Sequence, residues 1–568
     1  MKLIKLFWIG LLLQSLAYGQ VSIGAIQSHL QQTVQTHIKG PNKEIIESLY
    51  ANSGNQPLWL GNKNEKKRNA LIRALKDPLF NYKDKPFDQP SIGRLYYMLD
   101  NNTISDSQKA QIYARLDLML TNSFVRLVRF IVQGDVDWNL VQKKLAALAK
   151  SDDIHAVWEM KLKPFPDNKE LIGAVESGKI YAYLSSLIPM ERRYRTLVQL
   201  LQDYRTMEKF PKITYANEPR KMGNRRNKSI EEIKKRLQIT GDYPKNAPIN
   251  TTFDKTLQQA VISYQKRYNL KVTGEVDKVM TYYLNQPVST HIQSIITNLD
   301  KTKLYPKAFE EEYVEVNIPD FKLRYYKNHR LIMSMGAVVG RIDRPTPLFD
   351  DKIEYMVLNP TWTITDNLVK RDLIPVLKEY PSYLVDNNIK AYSGRQEVDV
   401  TYEMIAPYQN STVRVPYRFV QQPGPDNALG RVKFMFPNKY AVYLHDTDNK
   451  SLLSRRYRIY SSGCMRVQKP FELMHTLLAH TRGRYTEEKI DEILESNKPT
   501  TIRLTSHIPV HITYFTVFKE HGKAHFKNDI YLYDQIISES IIGRSKKTFT
   551  VPHQRVISVK KQSQGISN

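Results

Sequence analysis

Residues 442–467 read VYLHDTDNKSLLSRRYRIYSSGCMRV. They hold Cys464, the single cysteine among 568 residues, in the small polar turn Ser461-Ser462-Gly463-Cys464, with Arg466 two residues on. His445 stands nineteen residues earlier, at the end of the apolar run Tyr440 to Leu444, which reads as a strand. A lone thiol forms no internal disulfide, and one Cys with a His elsewhere in the fold is the pattern of a nucleophile and its base. Thiolate is the species that attacks a carbonyl carbon, and imidazole takes such a proton near neutral pH. Nearby cations favour the thiolate, and Arg455, Arg456, Arg458 and Arg466 are the candidates. Backbone N–H groups of the Ser462-Gly463-Cys464 turn are candidates to hold a developing oxyanion, since glycine permits close approach. Taken alone, the same residues also fit a small buried apolar Cys and an unrelated His.

His445-Asp446, followed at this spacing by SSGC-x-R, resembles the signature of the L,D-transpeptidases with a YkuD-type catalytic domain. SSGC in place of the commoner SHGC is similar to the long, multidomain Gram-negative members. The resemblance implies Cys464 as nucleophile and His445 as base, with the backbone of Asp446, not its side chain, orienting the ring. Ser462 stands where shorter relatives carry a second His, which removes any mechanism needing that ring. Arg466 supports either the turn or a substrate carboxylate. No cofactor is expected. No metal is expected either, because the thirteen His are scattered and no Cys/His spacing matches a zinc site. His507 and His511 are separated by Ile508-Pro509 and lead into a strand, not a helical ligand pair.

Working outward, residues 1–19 read as a secretory signal: Lys2 and Lys5, an apolar Leu6 to Leu16, then Ala17-Tyr18-Gly19 as a cleavage site. Left uncleaved, this leader would hold the protein near a membrane. Export implies a periplasmic, wall-associated protein in an oxidising compartment, where a retained free thiol points to use. Net charge is +27. Export and the lack of a recognition motif set nucleic acid aside as partner, leaving wall carboxylates and lipid headgroups, or simply a solvated basic surface.

The length fits three or four domains. Residues 20–219 read as helical, with apolar spacing over Gln108 to Gln133 and Tyr194 to Tyr204, and with Trp59, Trp138 and Trp158 as core. The tract resembles the helical scaffold domain of the long L,D-transpeptidases. Pro219 to Lys228 reads as a basic linker. Residues 229–286 form a compact three-helix unit, opened by a capping box of Ser229 and Glu232. Its RL-x-x-TGDY, AV-x-x-YQ and L-x-VTGEVD resemble the peptidoglycan-binding type 1 module.

From Tyr313 the period becomes strand-like. A hairpin is expected over Tyr313–Pro319 and Phe321–Tyr326, then strands over Leu331–Val339, Tyr355–Leu358, Thr501–Leu504, Val510–Phe518 and Ile530–Tyr533. Residues 311–535 are similar to the transpeptidase β-fold, including its Asn359-Pro360-Thr361-Trp362. An insertion over about 366–432, with a helix-like Leu368 to Leu377 and the loop Gln421 to Gly430, interrupts the strands and reads as a binding lid. It resembles the family's capping subdomain. Trp362 at its base, Tyr443 two residues before His445, and Ser461 are expected around the substrate, though Trp362 and Tyr443 also fit a packing role. Residues 544–568 form a basic tail read as disordered.

The fold class is thus multidomain α+β: a helical scaffold domain, a small wall-binding module and a β-rich YkuD-type domain with an inserted lid. The resemblance implies 3→3 crosslinking of peptidoglycan stem peptides, with stems as donor and acceptor, D-alanine released from a tetrapeptide donor, and carbapenem-type β-lactams as covalent inhibitors. An L,D-carboxypeptidase or a non-catalytic wall-binding protein are the alternatives.

Overall fold

The computed structural model describes residues 21–37, 42–99, 104–149, 157–483 and 485–542. The leader at 1–19 and the tail at 544–568 lie outside them. The N-terminal half is helical because its apolar residues recur at helical spacing and its helix starts are capped. The longest helix, Asp106–Val132, opens with a capping box in which Ser105 and Gln108 satisfy each other's backbone N–H groups. Its Leu116, Leu120, Phe124 and Leu127 are fully buried. Trp59 joins this core. Trp138 and Trp158 are buried in the core of the β domain instead, where Trp158 stacks on Tyr533 at 5.5 Å.

Three helices, Lys228–Ile239, Lys255–Arg267 and Lys278–Leu284, form the module, with N-caps Asn227, Asp254 and Asp277. The expected Ser229–Glu232 capping box does not form. Asn227 Oδ1 accepts the Ser229 N–H, while Glu232 accepts from Thr214 N. Nor is the stretch before it a free linker. Arg220 is 3% exposed, exchanges both backbone hydrogen bonds with Val276, and donates from Nε to Ser229 Oγ at 2.8 Å. A guanidinium this long closes the chain onto the third helix, which the basic composition of the stretch hides.

The β domain contributes β1 (Tyr313–Asn317), β2 (Lys322–Lys327), β3 (Arg330–Gly340), β4 (Asp350–Leu358), β5 (Trp362–Thr363), β6 (Ile389–Ser393), β7 (Gln396–Val398), β8 (Arg418–Gln421), β9 (Val432–Met435), β10 (Leu444–His445), β11 (Ile459–Ser461), β12 (Met465–Val467), β13 (Thr500–Thr513), β14 (Val517–Glu520) and β15 (Lys523–Phe526). Nine strands run in the order β11-β3-β12-β10-β9-β4-β13-β1-β2, and β2 pairs back onto β3, so the sheet closes on itself. Closure from β3 round to β2 removes most of the open edges that would template association, with β11 paired to β3 alone. The inward face carries Leu444, Phe434, Met465 and Val467, all fully buried, under the Pro470–Leu478 helix with its Leu473 and Leu477.

Three strand expectations change. Tyr440 to Leu444 is strand only at Leu444, because Ala441 has φ +53° and Asn438 Nδ2 donates to Phe436 O and Val442 O. The Val510–Phe518 run divides between β13 and the separate β14–β15 hairpin. Ile530–Tyr533 is a turn entering the helix Tyr533–Ser538, with Leu532 at φ +61°. The insertion is more than a loop. β5, β8, β6 and β7 make a four-stranded sheet, next to a helical stretch over 366–379 with a π-helical turn at Val369–Leu373. They enclose their own apolar cluster of Val369, Ile374, Leu377, Ile405 and Phe419.

Candidate active site

Strand register assembles the site. His445 on β10 lies beside Arg466 of β12 on one side and Lys433 of β9 on the other. Paired residues share a face, and residues two apart on one strand share it too. Lys433, His445 and Arg466 therefore form one cross-strand row, with Tyr443 and Cys464 two positions back on the same face. The opposite face of the same strands is the apolar core described above.

The Cys464 turn is held from three sides. Ser461 Oγ donates to Cys464 O at 2.5 Å and accepts from Gly463 N at 3.3 Å. Thr346 Oγ1 donates to Gly463 O at 2.8 Å and itself accepts from Gly340 N. Gly463 sits at φ +117°, a conformation that suits glycine. Its N–H is thus already engaged, which takes Gly463 N out of the expected oxyanion donors. The N–H groups of Ser462 and Cys464 make no hydrogen bond among the described residues. Ser462 Oγ accepts from Arg344 Nη1 at 3.1 Å, and Arg344 also grips Asp372 of the insertion through two hydrogen bonds of 2.5 and 2.9 Å.

At rest the sulfur points toward Ala441 O, 3.8 Å away, and receives the Tyr443 hydroxyl and backbone N–H. No hydrogen bond joins it to either His445 nitrogen. Such contacts often tighten only when substrate is bound. Part of Cys464 remains open to solvent. The dense protein around the sulfur nevertheless pushes the thiol up to about 11, against Tyr443, Arg466 and Lys433, which pull it down. His445 is 3% exposed, and burial pushes its pKa down to about 3, with Arg466 and Lys433 adding to this and the Asp446 backbone opposing it. A backbone group that favours the charged ring is an acceptor, so it is the Asp446 carbonyl. It is not aligned for a hydrogen bond of ordinary geometry, and Nδ1 has no partner. The resting pair is therefore neutral thiol and neutral imidazole.

Arg466 and Lys433 have no carboxylate partner within ion-pair distance among the described residues, and burial lowers the pKa of both. Lys433 was not singled out in the sequence. Its signal is a lysine between Val432 and Phe434, inside a strand whose neighbours are fully buried. Arg456 and Arg458 are turned to other tasks: Arg458 Nη1 donates to Phe321 O and Nε to Arg455 O, while Arg456 meets the Tyr457 hydroxyl. Of the four candidate arginines, Arg466 is the one whose charge lowers the Cys464 pKa. Trp362 pairs with Gln421 inside the insertion's sheet and packs on its apolar cluster. The Asp446 carboxylate accepts Arg431 N at 2.9 Å and pairs with Lys450. A Cβ at Gly430, φ +59°, would meet that carboxylate at 2.3 Å. His511, on β13, is held between Asp350 and Glu310 at 2.8 Å each, four residues along the same strand from His507.

Family profiles match three segments: "L,D-transpeptidase catalytic domain" (YkuD) over residues 311–491, "Scaffold domain" over 44–201 and "Putative peptidoglycan binding domain" over 226–281. A curated relative, "Putative L,D-transpeptidase" of Haemophilus influenzae, is 34% identical over 246 residues, which cover 43% of this chain and 49% of that protein. The match thus spans about half the length of the curated relative. Among solved structures, an L,D-transpeptidase (residues 123-326) from Xylanimonas cellulosilytica is 13% identical, covering 53% of this chain and 99% of that one, with TM-score 0.18. An L,D-transpeptidase (Yku) from Stackebrandtia nassauensis is 11% identical, covering 55% and 99%, with TM-score 0.21. The chain carries a scaffold domain, a peptidoglycan-binding type 1 domain and, behind them, a YkuD-family L,D-transpeptidase catalytic domain.

Proposed function

We propose that the protein is a cysteine L,D-transpeptidase that forms 3→3 crosslinks between peptidoglycan stem peptides, acting on the cell wall after export. One observation carries the reading: Cys464, His445, Tyr443, Arg466 and Lys433 share one face of adjacent strands, with two unpaired cations beside a thiol.

The sulfur attacks the carbonyl of the bond after the third residue of a tetrapeptide stem. Its proton passes to His445 and then to the departing amine of D-alanine as the C–N bond breaks and the thioester forms. The side-chain amine of a second stem then attacks the thioester. The C–S bond breaks, an amide forms, and the amine's proton returns through His445 to sulfur. The free N–H groups of Ser462 and Cys464 supply donors for the oxyanion. Arg466 and Lys433 favour developing negative charge and receive the donor's carboxylate. The insertion, fastened to the Cys turn through Arg344, limits water at the thioester and so favours transfer over hydrolysis.

Incubation with disaccharide-tetrapeptide, read by mass spectrometry, tests this. Crosslinked dimer with loss of alanine is expected. Tripeptide alone would make the protein an L,D-carboxypeptidase, and neither product would leave a non-catalytic wall-binding protein. A carbapenem is expected to add its mass to the wild-type chain and not to Cys464→Ala.

A further inference from the structure

A second concave site lies away from the Cys464 face, where the module, the helix Val288–Lys301, the β14–β15 hairpin and the helix Tyr533–Ser538 meet. It has a volume of about 360 Å³, within the range of small-ligand sites. One wall is aromatic, with Tyr268, Tyr282, Tyr283 and Phe526. The other is a polar stripe on one helix: Thr290, Gln293, Ser294 and Thr297 all line the cavity, at the i, i+3, i+4, i+7 spacing that puts side chains on one face. The helix buries Ile295 and Leu299 in the apolar core on its other side. On the cavity side the Ser294 and Thr297 hydroxyls donate back to Thr290 O and Gln293 O, so they meet the cavity as acceptors, and the Gln293 amide is the open donor.

The lining holds no unanswered charge. Asp534 is taken by Lys301 and Thr516, and Asp529 by the Tyr514 hydroxyl and Gln535 N. Lys527 pairs with Asp320. The side chains of Gln293 and Tyr282, by contrast, make no hydrogen bond to any described residue. Neutral donors and acceptors facing aromatic rings suit a neutral, polyhydroxylated, amide-bearing ligand and disfavour a charged one.

The cavity is also tied to the Cys turn. Asn528, on its rim, accepts from the Tyr283 hydroxyl of the module at 3.0 Å and donates to the Tyr457 hydroxyl at 2.7 Å, on the segment leading to Cys464. Tyr531, three residues on, donates to Gly340 O and accepts from Thr346 N, and Thr346 holds Gly463. We propose that this cavity binds the glycan of peptidoglycan, a strand of N-acetylated amino sugars, and so registers the chain on the strand whose stems the Cys464 site processes. The proposal rests on the peptidoglycan substrate argued above.

Calorimetric titration of the full chain with tri-N-acetylchitotriose tests it. Saturable binding is expected in wild type and in Cys464→Ala. Gln293→Trp, which fills the cavity, and the milder Tyr282→Ala should each weaken it at least fivefold while leaving thermal unfolding and iodoacetamide labelling of Cys464 unchanged. Yield on polymeric peptidoglycan should fall severalfold in both. Absence of saturable heat, or binding that neither substitution alters, overturns the proposal. Crosslinking without sugar binding removes the cavity proposal alone, and sugar binding without crosslinking removes the enzymatic reading alone.

Discussion

Cys464 and His445 rest on opposite sides of their ordinary ranges, the thiol near 11 and the ring near 3. Both are then neutral across roughly pH 4 to 10, so kcat/KM should show no acid limb at the usual imidazole value of about 6.5. A limb there would mean that the working ring is solvated. Lys433 is the residue to vary. Lys433→Met removes a cation that pulls the thiol down, so iodoacetamide labelling of Cys464 should slow and kcat/KM should drop by about tenfold, with Lys433→Arg restoring most of it. A merely structural lysine would leave the labelling rate unmoved. Gly430→Ala forces a Cβ onto the Asp446 carboxylate in a left-handed backbone, with an expected loss of about 1–3 kcal/mol in urea unfolding. Cys464, Gly463 and His445 stood out in the sequence because a single Cys follows a Gly and a His in a fixed local order, and the structure sets them at neighbouring strands. Lys433 and Arg344 did not, because a lysine in a strand and an arginine in a loop acquire meaning only once register and chain path place them beside the turn.

At the scale of elements, the link between insertion and catalytic turn is the Arg344 grip on Asp372 and Ser462. Asp372 is half-exposed, with 48% of its side chain accessible, so Asp372→Ala should change global stability by less than about 1 kcal/mol. Loosening the insertion should instead admit water. The ratio of tripeptide to crosslinked dimer is expected to rise severalfold, and an unchanged ratio would show that the grip does not govern water at the thioester. The π-helical turn at Val369–Leu373 places Asp372 at this junction. Strand periodicity announced the hairpin β1–β2, and helical spacing of Leu473 and Leu477 announced the helix after Cys464. Periodicity misjudged Ile530–Tyr533, whose aromatic side chains are buried as separate anchors in a turn and mimic a strand's composition. The insertion's sheet was hidden for a related reason: its strands are two to five residues long, too short for alternation to emerge.

For the whole molecule, mild acid should be destabilising. Burial pushes His291 and His445 down to about 3 and His525 down to about 4. Below the unfolded value of about 6.5 the unfolded chain binds protons that the folded chain refuses, so stability falls as pH drops from there toward 4. His511 acts in the opposite sense. Burial lowers its pKa, but Asp350 and Glu310 outweigh that and raise it, so its contribution is present at acid pH and fades as pH rises. Asp529, which burial pushes up to about 7, also gains stability as pH falls. Three depressed rings against the raised ring and this one carboxyl predict a midpoint of thermal unfolding that falls between about pH 6.5 and 4.5. A flat or rising midpoint would contradict the enclosure of these rings.

The β14–β15 hairpin follows the closed sheet in sequence, yet Val517, Ala524 and Phe526 lie in the apolar cluster of the helical half, and Arg267 of the module reaches the Ala524 carbonyl. A recombinant fragment starting at residue 311 would carry that hairpin with Val517, Ala524 and Phe526 uncovered, and should be recovered mostly as aggregate. Supplied separately, the half ending before residue 311 should restore it to solution. The β half is thus a graft whose last stitches are sewn into its neighbour, and the distance from the three-helix module to the sulfur is set at folding and not by a tether.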